Sequence, residues 1–210
     1  MGLIMAGGLA KRLGGIEKPL LKIRGKTMLE TAVEALKGAG IKRVYVAVTP
    51  RTPGVKRACE QLGVETIETP GSGFVYDLWT AIRVIGSVCL VAVADKPFLT
   101  AEEVSVLLDL YELSDKPVLT AVTPLSEYVE FHWRWPSFIY VVSGLSLAPV
   151  GLSVMDLRGV KPKEAASEDL LVFYGYVPNL ASIDTFSDLE KAGLASRLKG
   201  GVSKVELLRL

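Results

Sequence analysis

The 210-residue sequence contains one histidine, His132, and two cysteines, Cys59 and Cys89. A single imidazole excludes zinc sites built on paired histidines, and with only two thiols it excludes a Cys/His cluster of ordinary spacing. A Ser-His-Asp triad would have to use His132, which lies in EFHWRWP, and no G-x-S-x-G elbow accompanies it. Two cysteines cannot staple a disulfide-dense secreted scaffold. Cys59 falls in a helical pattern and Cys89 in the apolar run SVCLVAVAD, so both read as buried filler. An excess of charge is also missing: 24 Lys+Arg stand against 23 Asp+Glu, without the basic surplus of a general nucleic-acid binder. The opening MGLIMAGG has no basic n-region ahead of its apolar stretch, so it does not read as a signal peptide, and Ala6 stands where a myristoylation signal needs Ser or Thr. These absences point to a cytoplasmic protein. The stretch from Trp135 to Met155 is uncharged and long enough to span a bilayer. Pro136, Gly144, Pro149 and Gly151 divide it, so it reads as buried strands and a loop.

Half of the residues are hydrophobic and 22% are charged, a balance that builds a core and excludes intrinsic disorder. The length suits a single domain over 1–210. Strand and helix patterns alternate. Leu3–Met5 is a short apolar strand, and Thr27–Lys37 carries a helical stripe ended by Gly38 and Gly40. Arg43–Val48, Glu65–Ile67, Val88–Ala94 and Val118–Val122 read as strands. Between them, Val55–Leu62, Gly73–Ile85 and Thr100–Leu113 read as helices, the last opened by a Thr100/Glu103 capping box. Apolar strands joined by helices indicate an α/β fold with a Rossmann-like, mostly parallel sheet. Beyond residue 124 aromatics cluster, the helices thin out, and the chain is expected to be richer in β-structure. Leu170–Tyr176 looks like a late strand and Thr185–Ala192 a final short helix.

The segment MAGGLAKRLGGIEKPL, directly after the first strand, concentrates the chemistry. Paired glycines let backbone N–H groups approach an anion, and Arg12 and Lys18 add a fork and a point charge over the same place. That combination suits a triphosphate. It is not a P-loop, because the interval from Gly8 to Gly14 is wrong and no Lys-Ser/Thr follows. It is not a dinucleotide fingerprint either, which disfavours a nicotinamide dehydrogenase. Gly71-Ser72-Gly73 imitates half of that fingerprint, but Tyr76 stands where the third glycine belongs.

The pattern L-I-M-A-G-G-x-x-x-R-x-G-G-x-x-K-P-L resembles the opening of the nucleotidyltransferases with the nucleotide-diphospho-sugar transferase, or glycosyltransferase-A-like, fold. ADKPFL at 94–99 is similar to that superfamily's aspartate at a strand end, and SIDTFSDL at 182–189 is similar to its second acidic or amide position. Within the molybdenum-cofactor-guanylyltransferase-like group, the chain resembles archaeal adenosylcobinamide-phosphate guanylyltransferases. That likeness rests also on VTPRTP at 48–53, TPGSGFVYDL at 69–78 and PVGLSV at 149–154. It departs from them in the aromatic segment Glu127–Ser146, in Ser153 where Asn is expected, and in Lys96 beside the aspartate.

The resemblance implies GMP transfer from GTP to adenosylcobinamide phosphate with release of pyrophosphate. Residues 1–123 would form the nucleotide-binding half and 124–210 the acceptor-binding half. Arg12 and Lys18 would stabilise charge on the phosphates, and Asp95 and Asp184 would hold Mg²⁺. Asp184 has a second reading, as part of the N-cap of the following helix. Ala6, Gly7, Gly8, Thr49, Thr69, Gly71, Gly73 and Asp77 would bind the nucleotide, with Asp77 either accepting from guanine or ribose or only favouring a helix N-terminus. Gly151 would line the acceptor side. The aromatic group Phe131–Trp135 would cover a large planar ligand, or serve as core or interface. GTP and a phosphorylated small molecule are the partners implied, with no nucleic acid and no membrane span; a homodimer stays open. Two alternatives remain: another acceptor, such as molybdopterin or a sugar phosphate, and a GTP-binding regulatory module without catalysis.

Overall fold

A computed structural model describes residues 1–10, 14–114, 116–132, 135–137, 139–158, 169–174 and 205–209. Its centre is β1 (Gly2–Met5), four buried residues paired in parallel with β6 (Val44–Val48) on one side and β8 (Cys89–Val93) on the other. Strand β7 (Glu65–Glu68) extends the parallel set beyond β6. On the other side lie β11 (Leu145–Met155), antiparallel to β8, then β9 (Val118–Pro124), β12 (Asp169–Tyr174) and β13 (Val205–Arg209); β10 (Tyr140–Val142) forms a hairpin with β11. The order β13-β12-β9-β11-β8-β1-β6-β7 makes a mixed, mostly parallel sheet. Small two-stranded hairpins, β2 (Leu9–Ala10) with β3 (Ile16–Glu17) and β4 (Lys22–Ile23) with β5 (Lys26–Thr27), decorate the segment after β1.

Strand periodicity sorts the core into two layers. Ile4, Val46, Val48, Leu90 and Ala92 pack toward Leu29 and Leu36 of α1 (Met28–Gly38), Val55 and Cys59 of α2 (Pro53–Leu62), and Val104 and Leu107 of α4 (Ala101–Glu112). Leu3, Met5, Ala47, Cys89 and Val91 face the other way, toward Leu78, Ala81 and Ile82 of α3 (Phe74–Ile85). Both cysteines are buried, and burial pushes each thiol up to about 11, so they serve packing rather than chemistry.

The helices start and stop where local chemistry tells them to. Thr100 and Glu103 form the expected capping box, and Thr27 and Glu30 form a second one at the start of α1. Gly63 and Gly86 close α2 and α3 in the left-handed conformation that favours glycine.

Two features differ from the sequence expectation. A further helix, α5 (Leu125–His132), follows β9 inside the stretch where helices were expected to thin out. Its inward-facing Tyr128 is 6% exposed, so an aromatic cluster there was compatible with a helix after all. The uncharged run after Trp135 forms strands, as expected, but only partly buried ones: Val141 and Leu145, at the β10–β11 turn, are exposed. Ser143 and Gly144 both have positive φ there, the signature of a tight two-residue hairpin whose tip projects away from the core. Among the described residues no helix is long and apolar enough to cross a membrane. The expected helix at 185–192 lies outside the described residues.

Candidate active site

In an open α/β sheet, ligands settle beyond the carboxyl ends of the strands where the strand order reverses. Here the chain runs outward from β1 to β6 to β7, then returns to place β8 on the far side of β1. The reversal lies between β1 and β8, and the residues leaving those two ends are Ala6-Gly7-Gly8 and Ala94-Asp95. Main-chain bonds hold both exits: Ala6 donates to the carbonyl of Ala47 and Ala94 to that of Met5, each at 3.0 Å.

One group of side chains gathers on the β6 side of this crevice. Thr49 leaves the end of β6 and turns back over β1, donating from Oγ1 to the carbonyl of Gly7 (3.1 Å). Its methyl fills the space beside Gly7 that any Cβ at that position would need, and it also lies against Gly71. Thr52 locks the turn by accepting from Thr49 N (3.1 Å) while donating to the Thr49 carbonyl (3.2 Å). At the end of β7, Thr69 donates from both N and Oγ1 to the carbonyl of Val48 (2.8 and 3.0 Å). The Gly71–Gly73 loop is shaped from within. Asp77, buried in the first turn of α3, accepts from Gly71 N (2.9 Å) and Ser72 N (3.3 Å). Gly71 and Gly73 have φ of 73° and 127°, which they adopt at little strain because they lack a Cβ, and the bonds to Asp77 hold the loop in that shape. Gly8, in contrast, faces open space.

A second group sits across β1. Lys18, on the 3₁₀ turn Lys18–Leu20, places its ammonium 2.9 Å from Asp95 Oδ2. Lys96 places its own 3.4 Å from Asp95 Oδ1. Gly151, on β11, lies against the Lys96 stem: an ideal Cβ there would be 3.1 Å from Lys96 Cε. The structure therefore brings together Ala6, Gly7, Gly8, Thr49, Thr69, Gly71, Gly73 and Asp77 on one side and Lys18, Asp95 and Gly151 on the other. Arg12 and Asp184 lie outside the described residues.

Two participants escaped the sequence reading. Glu17 reaches across to the start of α2, where Oε1 accepts from Gly54 N (2.8 Å) and Oε2 from Val55 N (2.6 Å). A carboxylate at a helix N-terminus satisfies orphan N–H groups and complements the dipole. It ties the segment bearing Lys18 to the turn bearing Thr49. Nothing local marks it, since the partners are 37 and 38 residues apart. Lys96 was noticed as an extra charge, but its burial was not foreseen. Next to Gly73, a cleft of about 610 Å³ is lined by Phe74, Tyr76, Trp79 and Arg83.

The donor set bears on a divalent cation. Among the described residues no cluster of three or more Asp, Glu, His or Cys could cage a metal. A lone carboxylate at a strand end fits instead the kind of Mg²⁺ site in which one or two carboxylates share the ion with substrate phosphates and water.

Comparison with known proteins agrees with this architecture. The MobA-like NTP transferase domain matches residues 2–171. The chain is 26% identical over 209 residues to an adenosylcobinamide-phosphate guanylyltransferase from Methanocaldococcus jannaschii, covering 94% of this chain and 98% of that protein. It is 28% identical over 122 residues to a molybdenum cofactor guanylyltransferase from Shewanella sp. (strain ANA-3), covering 56% of this chain and 59% of that one. Among solved structures, a CMP:2-keto-3-deoxy-manno-octonic acid synthetase complexed with CTP superposes with a TM-score of 0.71 at 22% identity, covering 93% of this chain and 98% of its own. A putative glucose-1-phosphate thymidylyltransferase from Bacillus anthracis superposes with 0.66 at 16% identity, covering 95% and 96%. The shared fold is that of the nucleotide-diphospho-sugar transferases. With its glycine-bordered exit from β1, its aspartate at the end of β8 and a family match spanning most of its length, the chain belongs to the MobA-like NTP transferases and is a nucleotidyltransferase.

Proposed function

We propose that the protein transfers GMP from GTP to adenosylcobinamide phosphate, releasing pyrophosphate. The observation that carries this reading is the Lys18–Asp95 pair beside the Gly7-Gly8 exit at the sheet's reversal point, in a chain similar along nearly its whole length to the M. jannaschii enzyme. An oxygen of the acceptor phosphate attacks the α-phosphorus. A new P–O bond forms as the bond between the α-phosphorus and its bridging oxygen breaks, and pyrophosphate departs with that oxygen and the electron pair. A phosphate monoester is already anionic near neutral pH, so the single histidine need not serve as a base.

The chain's part is alignment and charge. Backbone N–H groups at Gly7 and Gly8 cradle the phosphates, and Gly8 has the open space to admit them. Lys18 moves from the carboxylate to the phosphates and neutralises charge developing on them. Arg12 adds its guanidinium to the same task. Asp95, with Asp184, would hold Mg²⁺. A Mg²⁺ ion held there would supply positive charge to offset that of the substrate phosphates and the departing pyrophosphate. Thr49, Thr69, Gly71, Gly73 and Asp77 frame the base, where backbone carbonyls can accept from the N1–H and exocyclic amine of guanine. Gly151 faces the acceptor side.

The test is pyrophosphate release from a panel of triphosphates and acceptors. GTP with adenosylcobinamide phosphate is expected to give turnover, and ATP or CTP little. Turnover with molybdopterin or a sugar phosphate instead would move the assignment to that acceptor, and no turnover with any pair would leave only nucleotide binding. Asp95→Asn is expected to lower kcat by about 10²-fold or more, and also to lower the melting temperature, because it takes a carboxylate away from the buried Lys96 ammonium; turnover is therefore compared at a temperature where the variant is folded. Near-normal turnover would remove Asp95 from the metal site.

A further inference from the structure

Lys96 directly follows Asp95 and is only 4% exposed. Its stem occupies room that a side chain at position 151 would need, beside Val93. Gly151 has φ of 80° and lies where the β9–β11 register shifts between Pro149 and Ser153. A bulge in β11 thus opens the space into which the lysine folds. An ammonium withdrawn from water is costly unless an opposite charge faces it. Asp95 faces two ammonium groups: Lys96 lies 3.4 Å from its Oδ1 and Lys18 2.9 Å from its Oδ2.

We infer that Lys96 is a positioning residue that makes Asp95 a poor ligand for a divalent cation until a triphosphate has entered. The inference rests on the reading of Asp95 as the metal carboxylate. A dication approaching Asp95 in the ligand-free protein meets two ammonium groups in a partly buried place where solvent screens weakly. The two lysines are held differently. Lys18 stands on the loop after β1, and its long stem lets the ammonium swing from Oδ2 to an arriving phosphate. Lys96 is enclosed by the bulge and stays on Oδ1. Arrival of the triphosphate therefore adds negative charge and withdraws one ammonium from the carboxylate in the same event. Nucleotide and cation bind together, and the cation alone does not bind.

The test uses Mn²⁺ alone and the ligand-free, full-length protein, with bound Mn²⁺ measured as loss of the free-ion signal in electron paramagnetic resonance. Wild type is expected to take up no Mn²⁺ in the sub-millimolar range. Lys96→Met, which refills the same room without charge, is expected to tighten uptake at least about tenfold. Lys96→Gln should act in the same direction, and Asp95→Asn added to Lys96→Met should abolish the gain. Circular dichroism checks that each variant is folded. Sub-millimolar uptake by ligand-free wild type overturns the inference without any variant. A folded Lys96→Met or Lys96→Gln protein with wild-type Mn²⁺ affinity also overturns it. If Asp95→Asn weakens Mn²⁺ uptake by the GTP complex while Lys96→Met leaves ligand-free uptake unchanged, the metal reading stands and this inference alone falls. If the gain survives without Asp95, both fall.

Discussion

Thr49 is the residue on which the β6 side of the crevice depends. Its hydroxyl spans to the Gly7 carbonyl, and its methyl stands where a Cβ at position 7 would go. Gly7→Ala forces these atoms together, and overpacking of this kind costs about 1–3 kcal/mol. Chemical denaturation should register that loss, and nucleotide affinity should fall with it, because the displaced atoms border the proposed phosphate cradle. Adding Thr49→Ser removes the colliding methyl and keeps the hydroxyl. The double variant should therefore recover most of both losses; if it does not, the glycine is needed for some reason other than Thr49. The sequence made Gly7 conspicuous as part of a glycine pair but did not name its neighbour. Thr49 lies 42 residues away, and only the pairing of β1 with β6 brings it close. Lys96 was opaque for the opposite reason. A lysine in ADKPFL reads as solvated, and its burial depends on an irregularity in a strand more than fifty residues later.

At the level of elements, what could be read from the sequence was what is encoded locally. The Thr100/Glu103 box, the glycine stops and the apolar strands each lie within a few residues of the structure they specify. Helix α5 was missed because a run rich in aromatics fits a half-buried strand as well as a helix. The antiparallel insertion of β11 between β8 and β9 leaves no local mark either. The start of α1 offers a measurable consequence. Hydrogen bonds from Thr27 N and Oγ1 hold the Glu30 carboxyl below its ordinary value of 4.5. A depressed carboxyl adds stability that is fully present above 4.5 and is lost as pH falls through the lowered native value. Thermal melts should thus lose stability on acidification across that window, and Glu30→Gln should flatten that part of the profile. Thr27→Ala should cost about 1 kcal/mol at neutral pH. An unchanged profile in Glu30→Gln would mean that other carboxylates dominate acid unfolding.

For the molecule as a whole, the crevice opens at the middle of the sheet rather than at its rim. A ligand seated there touches the exits of β6, β1 and β8, which carry both core layers. Binding should therefore raise the global melting temperature and not merely quiet a loop. A nucleoside triphosphate at about a hundred times its Kd adds about 2.7 kcal/mol. For a chain of this length that amounts to roughly 5–10 °C. With Mg²⁺ present, GTP should give this shift and ATP or CTP much less, as read by differential scanning fluorimetry. Equal shifts with all three would mean that binding does not select guanine and would remove the base-reading role of the Thr49–Asp77 region.

The shortness of β1 has its own implication. Only four residues set its alignment against two flanking strands at once, and Leu3 and Ile4 point to opposite layers. A slip of one position would turn every one of those side chains toward the wrong layer. It would also carry the glycine pair about 3.3 Å along the strand axis relative to Asp95. The spacing between the glycine pair and Asp95 is thus proofread by packing far beneath it: a misaligned chain fails to close its interior before its crevice can form.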